Sequence, residues 1–327
     1  MTASTWTSAE WGTDRFATEL RSFVRDAVGE PDRIDLVSHR PWSAVWRVCA
    51  GGRSSYAKQN CPGQAHEARL MSRVAELVPE HVVPVLASDP ERDLLLTADA
   101  GPTVRSQQRG ADLDLWCRIV ADAALLQRRV AEIAGELGLT VLAPVDTVTY
   151  VADAVGRLTA LPAGDPRRLD PMVATRLERL LPTIDRWSEG VEDLGLPLTL
   201  VHNDLHDGNV TELDGTLRFF DFGDAVVGDP LTNLLVPLET LAAAIGATPG
   251  DRRIQRVADA ALEVWSDLAP LAELRAALPA ALRLARVARV ESWRRCVATM
   301  TSVERVQFGS APADWLGTLV PASDARH

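Results

Sequence analysis

Lysine is nearly absent from this chain. Of the 34 lysine and arginine residues among 327, only Lys58 is a lysine. Where arginine supplies the other positive charges, an ordinary surface cation is expected to be arginine too. A compact, hydrated ammonium group binds its partners differently from a planar guanidinium group. Lys58 is therefore a candidate functional residue, the alternative being one lysine left by chance.

Paired cysteines and long apolar runs are also missing. The four cysteines are scattered without a C-x-x-C pair, which disfavours a zinc site or a disulfide framework. No stretch of about 18 consecutive apolar residues occurs, and the N-terminal residues have acidic side chains but no apolar signal-peptide core. We therefore expect a cytoplasmic protein without a membrane partner.

Positive charge is scarce overall, since the formal net charge is −11. A nucleic-acid partner is not expected, because it would require a basic face. The acidity either serves solubility alone or favours a neutral or cationic substrate. With 46% hydrophobic residues, the chain can bury an ordinary core in one or two domains.

The first third of the chain has the pattern of a small antiparallel sheet. An apolar run at 43–48, Gly51-Gly52 and a return run at 55–58 predict a hairpin with Lys58 on its second strand. Residues 65–77 have helical apolar spacing, with Glu67 in the first turns. Two further apolar runs, 82–87 and 94–97, predict strands that complete the sheet.

Beyond residue 97 the pattern becomes helical. Residues 97–102 break the strand pattern and mark a candidate hinge. Helices are predicted at 113–137 and 170–194, with a loop at 162–168. The region 252–319 is also helix-rich, with predicted breaks at Pro270, Pro279 and Pro312.

The segment 198–230 is unlike the rest of the chain. The apolar run 198–201 leads into a polar loop, residues 202–209. The strands that follow are predicted to form a hairpin around Asp214-Gly215, a favoured two-residue turn. The hairpin returns the chain to its starting end, so Asp221 is expected beside Asp204 and Asn209.

The predicted cluster has the chemistry of a magnesium site. Mg²⁺ prefers carboxylate and other oxygen ligands and keeps water or phosphate oxygens in its remaining positions. Two of the four asparagines in the chain, Asn203 and Asn209, lie in this loop. An Asp-rich turn taken alone would more often be a solvated loop. The flanking strands and the returning hairpin favour the metal site.

These motifs resemble a known family. His202-x-Asp204-x-x-x-x-Asn209, followed by Asp221-Phe222-Gly223, resembles the aminoglycoside phosphotransferase and choline kinase family, small-molecule relatives of protein kinases. The resemblance implies an α+β, bilobal protein-kinase-like fold. It has a small antiparallel-sheet lobe at 1–100, a hinge near 97–101 and a larger, mainly helical lobe at 101–327.

The resemblance also implies roles for individual residues. Asp204 would accept or orient the proton of the substrate hydroxyl, and Asn209 and Asp221 would hold Mg²⁺ on the nucleotide phosphates. His202 would brace the loop. Lys58 would contact the α- and β-phosphates of ATP, with GTP open as the alternative nucleotide, and Glu67 would pair with Lys58. Thr97 and Asp99 match hinge positions that hold the adenine edge.

Some residues of these motifs allow two interpretations. Glu67 taken alone could be an ordinary exposed acid. His206 is interpreted as packing under the loop rather than as a proton carrier. Asp224 either extends the metal or substrate site or belongs to a turn.

The sequence departs from the family pattern at two places. The turn expected to cover the nucleotide, residues 38–43, contains no glycine, so backbone amides approach phosphate less freely. Asn233 replaces an aspartate that the family has after Asp229-Pro230, and a weakened structural hydrogen bond is expected there.

A small acceptor is favoured over a peptide, because an apolar helix is predicted to begin near Leu231, soon after Asp221-Phe222-Gly223, and no A-P-E motif follows. Acids and tryptophans of the C-terminal region would recognise an amine, the alternative being solvated acids and core tryptophans. These residues are Glu239, Glu263, Asp267, Glu291, Trp265 and Trp293.

Three functions remain open at this point. The leading hypothesis is an antibiotic or amino-sugar phosphotransferase with a hydroxyl acceptor. The second is a metabolic kinase acting on choline, ethanolamine, homoserine or a sugar. The third is a nucleotide-binding pseudokinase that regulates a partner, which the joint retention of Lys58, Asp204, Asn209 and Asp221 disfavours. The sequence does not fix an oligomeric state.

The presence of a single lysine among arginines leads to one prediction. Replacing Lys58 by arginine keeps the positive charge but substitutes a planar fork for a compact ammonium group. We expect Lys58→Arg to impair phosphoryl transfer, measured as nucleotide turnover with substrate. Full activity in this variant would contradict the argument from composition.

Overall fold

The structure is a computed structural model that describes residues 6–248 and 250–320. The predicted lobe ranges start at residue 1 and end at residue 327, so their outermost parts, 1–5 and 321–327, lie outside the described residues. The fold has an antiparallel sheet in its N-terminal region and helices in most of the rest.

The N-terminal sheet has five antiparallel strands in the order β1-β2-β3-β5-β4. The strands are β1 (Arg33–Arg40), β2 (Ser43–Ala50), β3 (Arg53–Asn60), β4 (Val85–Asp89) and β5 (Leu94–Ala98). Gly51 and Gly52 have φ values of 53° and 76°, which a two-residue type I′ turn requires. The predicted hairpin with Lys58 on its second strand is confirmed. The fourth strand starts at Val85 rather than at Val82, because Val82 instead bridges to Phe219.

Two helices accompany this sheet, α1 (Asp14–Val28) and α2 (Glu67–Leu77). The second confirms the helix expected at 65–77. The sequence analysis missed α1, whose Phe16, Leu20 and Val24 pack with Trp46 in a core on one side of the sheet. Their spacing of four residues was the available signal for an amphipathic helix.

Helices form most of the remainder of the chain. They are α3 (Leu113–Val130), α4 (Thr147–Thr159), α5 (Pro171–Glu192), α6 (Leu235–Ile245), α7 (Arg252–Leu262), α8 (Leu271–Thr299), α9 (Ser302–Phe308) and α10 (Ala311–Gly317). A 3₁₀ helix at Ala131–Glu136 continues from α3, within the range predicted as one helix. The helix α4 was not predicted.

One predicted helix break is wrong. Pro279 lies inside α8, whereas Pro270 and Pro312 do stand at helix starts. Proline removes one backbone hydrogen bond of a helix. The helix continues through Pro279 because residues on both sides of it, Leu274 and Ala281, are completely buried in the main core.

The segment 198–230 contains short strands that lie within the helical part of the molecule. A three-stranded sheet, in the order β6-β10-β7, contains β6 (Val141–Leu142), β7 (Thr199–Val201) and β10 (Val226–Gly228). The predicted hairpin is confirmed as β8 (Val210–Leu213) and β9 (Thr216–Phe219). Asp214 and Gly215 have φ values of 50° and 77°, as their turn requires.

The chain leaves the first sheet where the sequence analysis places the hinge. The last strand of that sheet ends at Ala98, and Gly101 has a φ of 93°, a value that glycine adopts readily. The division into two domains at this point stays a prediction. Among the residues described here, no helix is both long and apolar enough to cross a membrane.

Asp229 connects β10 to the helix α6. Its Oδ1 accepts a hydrogen bond from the backbone N–H of Leu231 at 2.9 Å and so caps the 3₁₀ helix Pro230–Leu234. The residue is only 3% exposed. Burial of the carboxyl group raises the pKa of Asp229 from 3.8 to about 7. The folded chain therefore holds this proton more tightly than the unfolded chain does.

This shift predicts a pH dependence of stability. Because the pKa is higher in the folded state, the stabilisation is complete below about pH 4 and is lost as the pH rises through about 7, by at most about 4 kcal/mol. Asp229→Asn keeps an oxygen for the N–H of Leu231 but cannot ionise. We expect urea unfolding at pH 5 and pH 8 to show a smaller loss of stability in the variant. An identical loss in both proteins would contradict the assignment.

Candidate active site

Lys58 lies between two carboxylates at the junction of the sheet and the helical part. Its Nζ is 2.5 Å from Oε2 of Glu67 and 2.5 Å from Oδ1 of Asp221. The side chains of Lys58 and Glu67 are 12% and 1% exposed, whereas that of Asp221 is 45% exposed. Glu67 thus holds the ammonium group on its buried side, and the more exposed Asp221 holds it on the other.

The charges in this cluster stabilise one another. Burial alone lowers the pKa of Lys58, but Asp221 and Glu67 outweigh it and hold that pKa above its ordinary value. Desolvation works against the charge of Asp221, yet Lys58 lowers the pKa of Asp221 below its ordinary value. Lys58 and Asp221 are therefore both charged at neutral pH.

Glu67 is buried and joins several segments of the chain. It is not an ordinary exposed acid of a helix, which was the alternative interpretation. Besides Lys58, its Oε2 accepts a hydrogen bond from Nδ2 of Asn60 at 2.7 Å. Its Oε1 accepts one from the backbone N–H of Phe222 at 2.9 Å. One carboxylate therefore ties α2 to β3 and to the segment after β9.

The polar loop and the hairpin meet as predicted. The backbone N–H of Phe220 donates to the carbonyl oxygen of Asn209 at 3.2 Å, which puts Asn209 and Asp221 at the same end of the hairpin. The ring of His202 is buried against Phe222, and its Nε2 is 2.9 Å from the carbonyl oxygen of Phe220. Burial lowers the pKa of His202, so a neutral ring supports the loop from below.

Asp204 sits in this loop with two basic neighbours. Its Oδ1 is 3.0 Å from Nη1 of Arg289, and its Oδ2 is 3.7 Å from Nε2 of His206. Burial raises the pKa of Asp204 above its ordinary value, although Arg289 opposes this. Nδ1 of His206 accepts the backbone N–H of Gly208 at 3.0 Å, which agrees with a structural role of His206 in the loop.

Arg289 is a site residue that the sequence analysis missed. It lies on α8, is 8% exposed, and stacks on the ring of Trp315 at 5.2 Å. Its Nη1 also contacts the carbonyl oxygen of Asn203 at 2.8 Å and Oδ2 of Asp224 at 3.1 Å. No sequence motif marks this position, because arginine is the ordinary cation of the chain.

Both carboxylate oxygens of Asp224 have partners within the protein. Its Oδ1 accepts hydrogen bonds from Nε2 of Gln64, at 2.6 Å, and from the hydroxyl of Ser292. With Arg289 on the other oxygen, this carboxylate joins the helix α8 to Gln64, which precedes α2. These contacts favour the turn interpretation of Asp224 over an extension of the metal site.

Two residues of the centre have left-handed backbone conformations. Asn203 has a φ of 65° and Asp221 a φ of 66°. Asparagine tolerates this region, and aspartate does so less often. Nδ2 of Asn203 offsets the cost by donating to the carbonyl oxygens of Asp224 and Ala288, at 3.2 and 3.0 Å. Such conformations are often found at functional sites.

The residues predicted to bind a metal ion have suitable donor atoms. Nδ2 of Asn209 donates to the carbonyl oxygen of Asp204 at 3.0 Å, which leaves Oδ1 of Asn209 as the acceptor. Oδ2 of Asp221 accepts no hydrogen bond from the described residues, and the side chain is half-exposed. Within the described part of the chain there is no cluster of three or more His, Cys, Asp or Glu residues able to hold a metal. An amide, a carboxylate and nucleotide phosphates together fit Mg²⁺.

The turn expected to cover the nucleotide is packed against C-terminal helices. Residues 41 and 42 connect β1 and β2, since Arg40 pairs with Ser43. The ring of Trp42 contacts Trp293 at 5.2 Å and Phe308 at 5.3 Å between centroids, both edge-to-face. The indole side chain of Trp42 thus occupies the position at which a glycine-rich loop would bring its backbone N–H groups close to phosphate.

The predicted hinge residues lie next to the Lys58 strand. Thr97 pairs with Tyr56 in the β3–β5 ladder, two positions along from the Lys58–Leu95 pair. The backbone N–H of Asp99 donates to the carbonyl oxygen of Ser54 at 3.3 Å. The role of Thr97 and Asp99 in holding adenine stays a prediction.

Most of the acids considered for amine recognition have arginine partners. Glu239 pairs with Arg286 at 2.6 Å, Asp267 with Arg128 at 2.8 Å, and Glu291 with Arg294 at 2.7 Å. Trp265 is 1% exposed and belongs to the main core, and Trp293 packs against Trp42. The core interpretation is correct for Trp265, whereas Trp293 is partly buried.

The hydrogen bond expected to be weakened at Asn233 is present. Oδ1 of Asn233 accepts the backbone N–H of His202 at 2.9 Å, so the loop keeps its anchor. Its weakening relative to a charged carboxylate stays a prediction.

Solved structures with the same fold include three small-molecule kinases. A thermostable mutant of aminoglycoside phosphotransferase APH(4)-Ia, in its apo form, is 16% identical, with 94% of this chain and 100% of that chain covered and a TM-score of 0.59. An ethanolamine kinase from Plasmodium vivax is 11% identical, with 92% and 86% covered and a TM-score of 0.65.

The third is amicoumacin kinase hAmiN in complex with AMP-PNP, Ca²⁺ and Ami. It is 14% identical, with 94% of this chain and 97% of that chain covered and a TM-score of 0.56. No match is found among curated proteins. These likenesses confirm the predicted α+β, kinase-like fold.

The family follows from a match of a different kind. The model of the phosphotransferase enzyme family matches residues 36–274, which include the sheet, the polar loop and the hairpin described above. The resemblance stated from the sequence motifs is thereby confirmed, and the chain belongs to the phosphotransferase enzyme family.

Proposed function

We propose that this protein transfers the γ-phosphate of Mg²⁺-bound ATP to a hydroxyl group of a small molecule, an aminoglycoside-like antibiotic or an amino sugar. GTP is the alternative donor. The observation that carries the proposal is that Lys58, Asp204, Asn209 and Asp221 come together from separate segments of the chain. A cytoplasmic location and the absence of nucleic-acid and membrane partners belong to the same proposal.

On the nucleotide side, Lys58 binds the α- and β-phosphates and Glu67 keeps its ammonium group in place. Oδ1 of Asn209 and Oδ2 of Asp221 would hold Mg²⁺, which would neutralise charge on the phosphates. The solved complex of the amicoumacin kinase with AMP-PNP and Ca²⁺ supports the use of a nucleotide and a divalent cation.

On the acceptor side, Asp204 orients the substrate hydroxyl and accepts its proton. The raised pKa of Asp204 suits proton uptake better than that of an ordinary exposed carboxylate. Arg289 fixes the orientation of this carboxylate through Oδ1 and leaves Oδ2, on the His206 side, for the hydroxyl. Arg289 thus acts as a positioning residue.

The space beside the loop favours a small acceptor. The chain passes from Asp221 to the 3₁₀ helix Pro230–Leu234 within nine positions. Arg289 and Ser292 of α8 occupy the place beside Asp224. A long segment for binding a peptide, as protein kinases have, is therefore not expected here.

The ion pairs of the C-terminal helices favour a second candidate. An acceptor with several amines needs unpaired acids, yet Glu239, Asp267 and Glu291 have arginine partners. A metabolic kinase acting on a sugar or on homoserine would not need them. The acceptor panel below separates the two candidates.

Loss of the Asp204 carboxylate tests the proposal. We expect ATP turnover with Mg²⁺ to be stimulated by one class of acceptor in a panel of aminoglycosides, amino sugars, sugars, choline, ethanolamine and homoserine. Asp204→Ala should lower that turnover by about 10²–10⁴-fold while nucleotide binding, measured by calorimetry, persists. Near-normal turnover in the variant would remove Asp204 from the mechanism. Nucleotide binding without turnover on any acceptor would favour the pseudokinase.

A matched pair of substitutions on α2 tests the support of Lys58. Glu67→Gln removes one of the two charges that hold the buried ammonium, so we expect at least about tenfold weaker ATP binding and a loss of roughly 3 kcal/mol of stability. Glu76→Gln, on the same helix with a side chain 65% exposed, is the control and should change neither by more than about twofold or 0.5 kcal/mol. Equal effects of the two substitutions would contradict the role of Glu67.

A further inference from the structure

A cavity of about 610 Å³ lies between the helices α6, α7 and α8. Its volume is in the range of small-molecule binding sites. Lys58, Asp204, Asn209 and Asp221 are not among the described residues that line it. Much of the wall is apolar, formed by Leu235, Leu238, Ile254, Ala258, Leu262 and Leu282.

One of the positively charged residues of the wall has no acidic partner. Glu239 pairs with Arg286 at 2.6 Å, and Asp259 pairs with Arg275 at 2.7 Å. Arg283 also lines the cavity and is only partly exposed, and its side chain has neither a hydrogen bond nor an ion pair with another described residue. The wall therefore has three arginines and two acids, an excess of positive charge in a chain of net charge −11.

We propose that this cavity binds an amphipathic organic anion, a carboxylate with an apolar body. The apolar body lies on the leucine-rich wall, and the carboxylate pairs with the guanidinium group of Arg283. Arginine presents parallel N–H donors that match the two oxygens of a carboxylate. An apolar cation of the same size would meet a like charge at Arg283, and its neutral analogue would leave that group without a partner.

The site is separate from the proposed active centre but shares a helix with it. Arg283 and Arg289 are six positions apart on α8, about 9 Å along the helix axis. Arg289 contacts Asp204, whereas Arg283 faces the cavity. The inference rests on the cavity and its charges and does not depend on phosphoryl transfer.

Two probes with the same chain length and opposite charge test the proposal. Calorimetric titration of the full chain with sodium decanoate and with decyltrimethylammonium should show about tenfold or greater preference for decanoate. Without a specific site, the net charge of −11 would favour the cation instead. Equal binding of the two probes, or preference for the cation, would overturn the proposal.

Substitutions locate the binding. Arg283→Gln should weaken decanoate binding about tenfold, and Ala242→Trp, which fills the rim of the cavity, should abolish it. Arg252→Gln is the control, because Arg252 is exposed at the start of α7 and is not among the residues of the wall. Circular dichroism and thermal unfolding establish that each variant is folded. Unchanged decanoate affinity in folded Arg283→Gln would overturn the assignment of the carboxylate to Arg283.

Discussion

The active centre depends on the charge balance around one buried ammonium group. Lys58 is held between Glu67 and Asp221, and removal of one partner from such a buried pair typically costs about 3–5 kcal/mol. Glu67 also accepts the backbone N–H of Phe222, so the same carboxylate that balances Lys58 fixes the start of the segment after β9. The position of Asp221 relative to the sheet is therefore set by electrostatics and not only by apolar packing.

The parts of the fold that depend on local chemistry could be predicted from the sequence. Gly51-Gly52 and Asp214-Gly215 adopt the positive φ values that their two-residue turns require, so both hairpins followed from the turn residues. The hairpin around residue 214 in turn places Asn209 and Asp221 at one end. Lys58 was marked by composition before any contact was known, because a lone lysine among arginines is visible in the sequence itself.

The parts that depend on distant contacts could not be predicted. Arg289 and Asp204 are far apart in the sequence, and nothing local distinguishes Arg289 from the other arginines. Pro279 indicates a helix break by its own chemistry, yet packing on both sides of it keeps α8 continuous. The same applies to the acids of the C-terminal helices, whose arginine partners are supplied by tertiary structure. Propensity describes a residue and its neighbours, whereas ion pairing and burial depend on the whole chain.

The edge-to-face contacts of Trp42 with Trp293 and Phe308 restrict how the two parts of the molecule can move. Each such aromatic pair contributes about 1 kcal/mol to stability beyond the burial of its surface. A motion that separates the rings by opening the molecule is therefore disfavoured. The sheet is also joined to the helical part at the chain crossing near residue 100, through the ion pair of Lys58 with Asp221 and through the hydrogen bond of Glu67 with the N–H of Phe222. Any motion that separates the two parts at this face must therefore break aromatic, ionic and hydrogen-bonding contacts together.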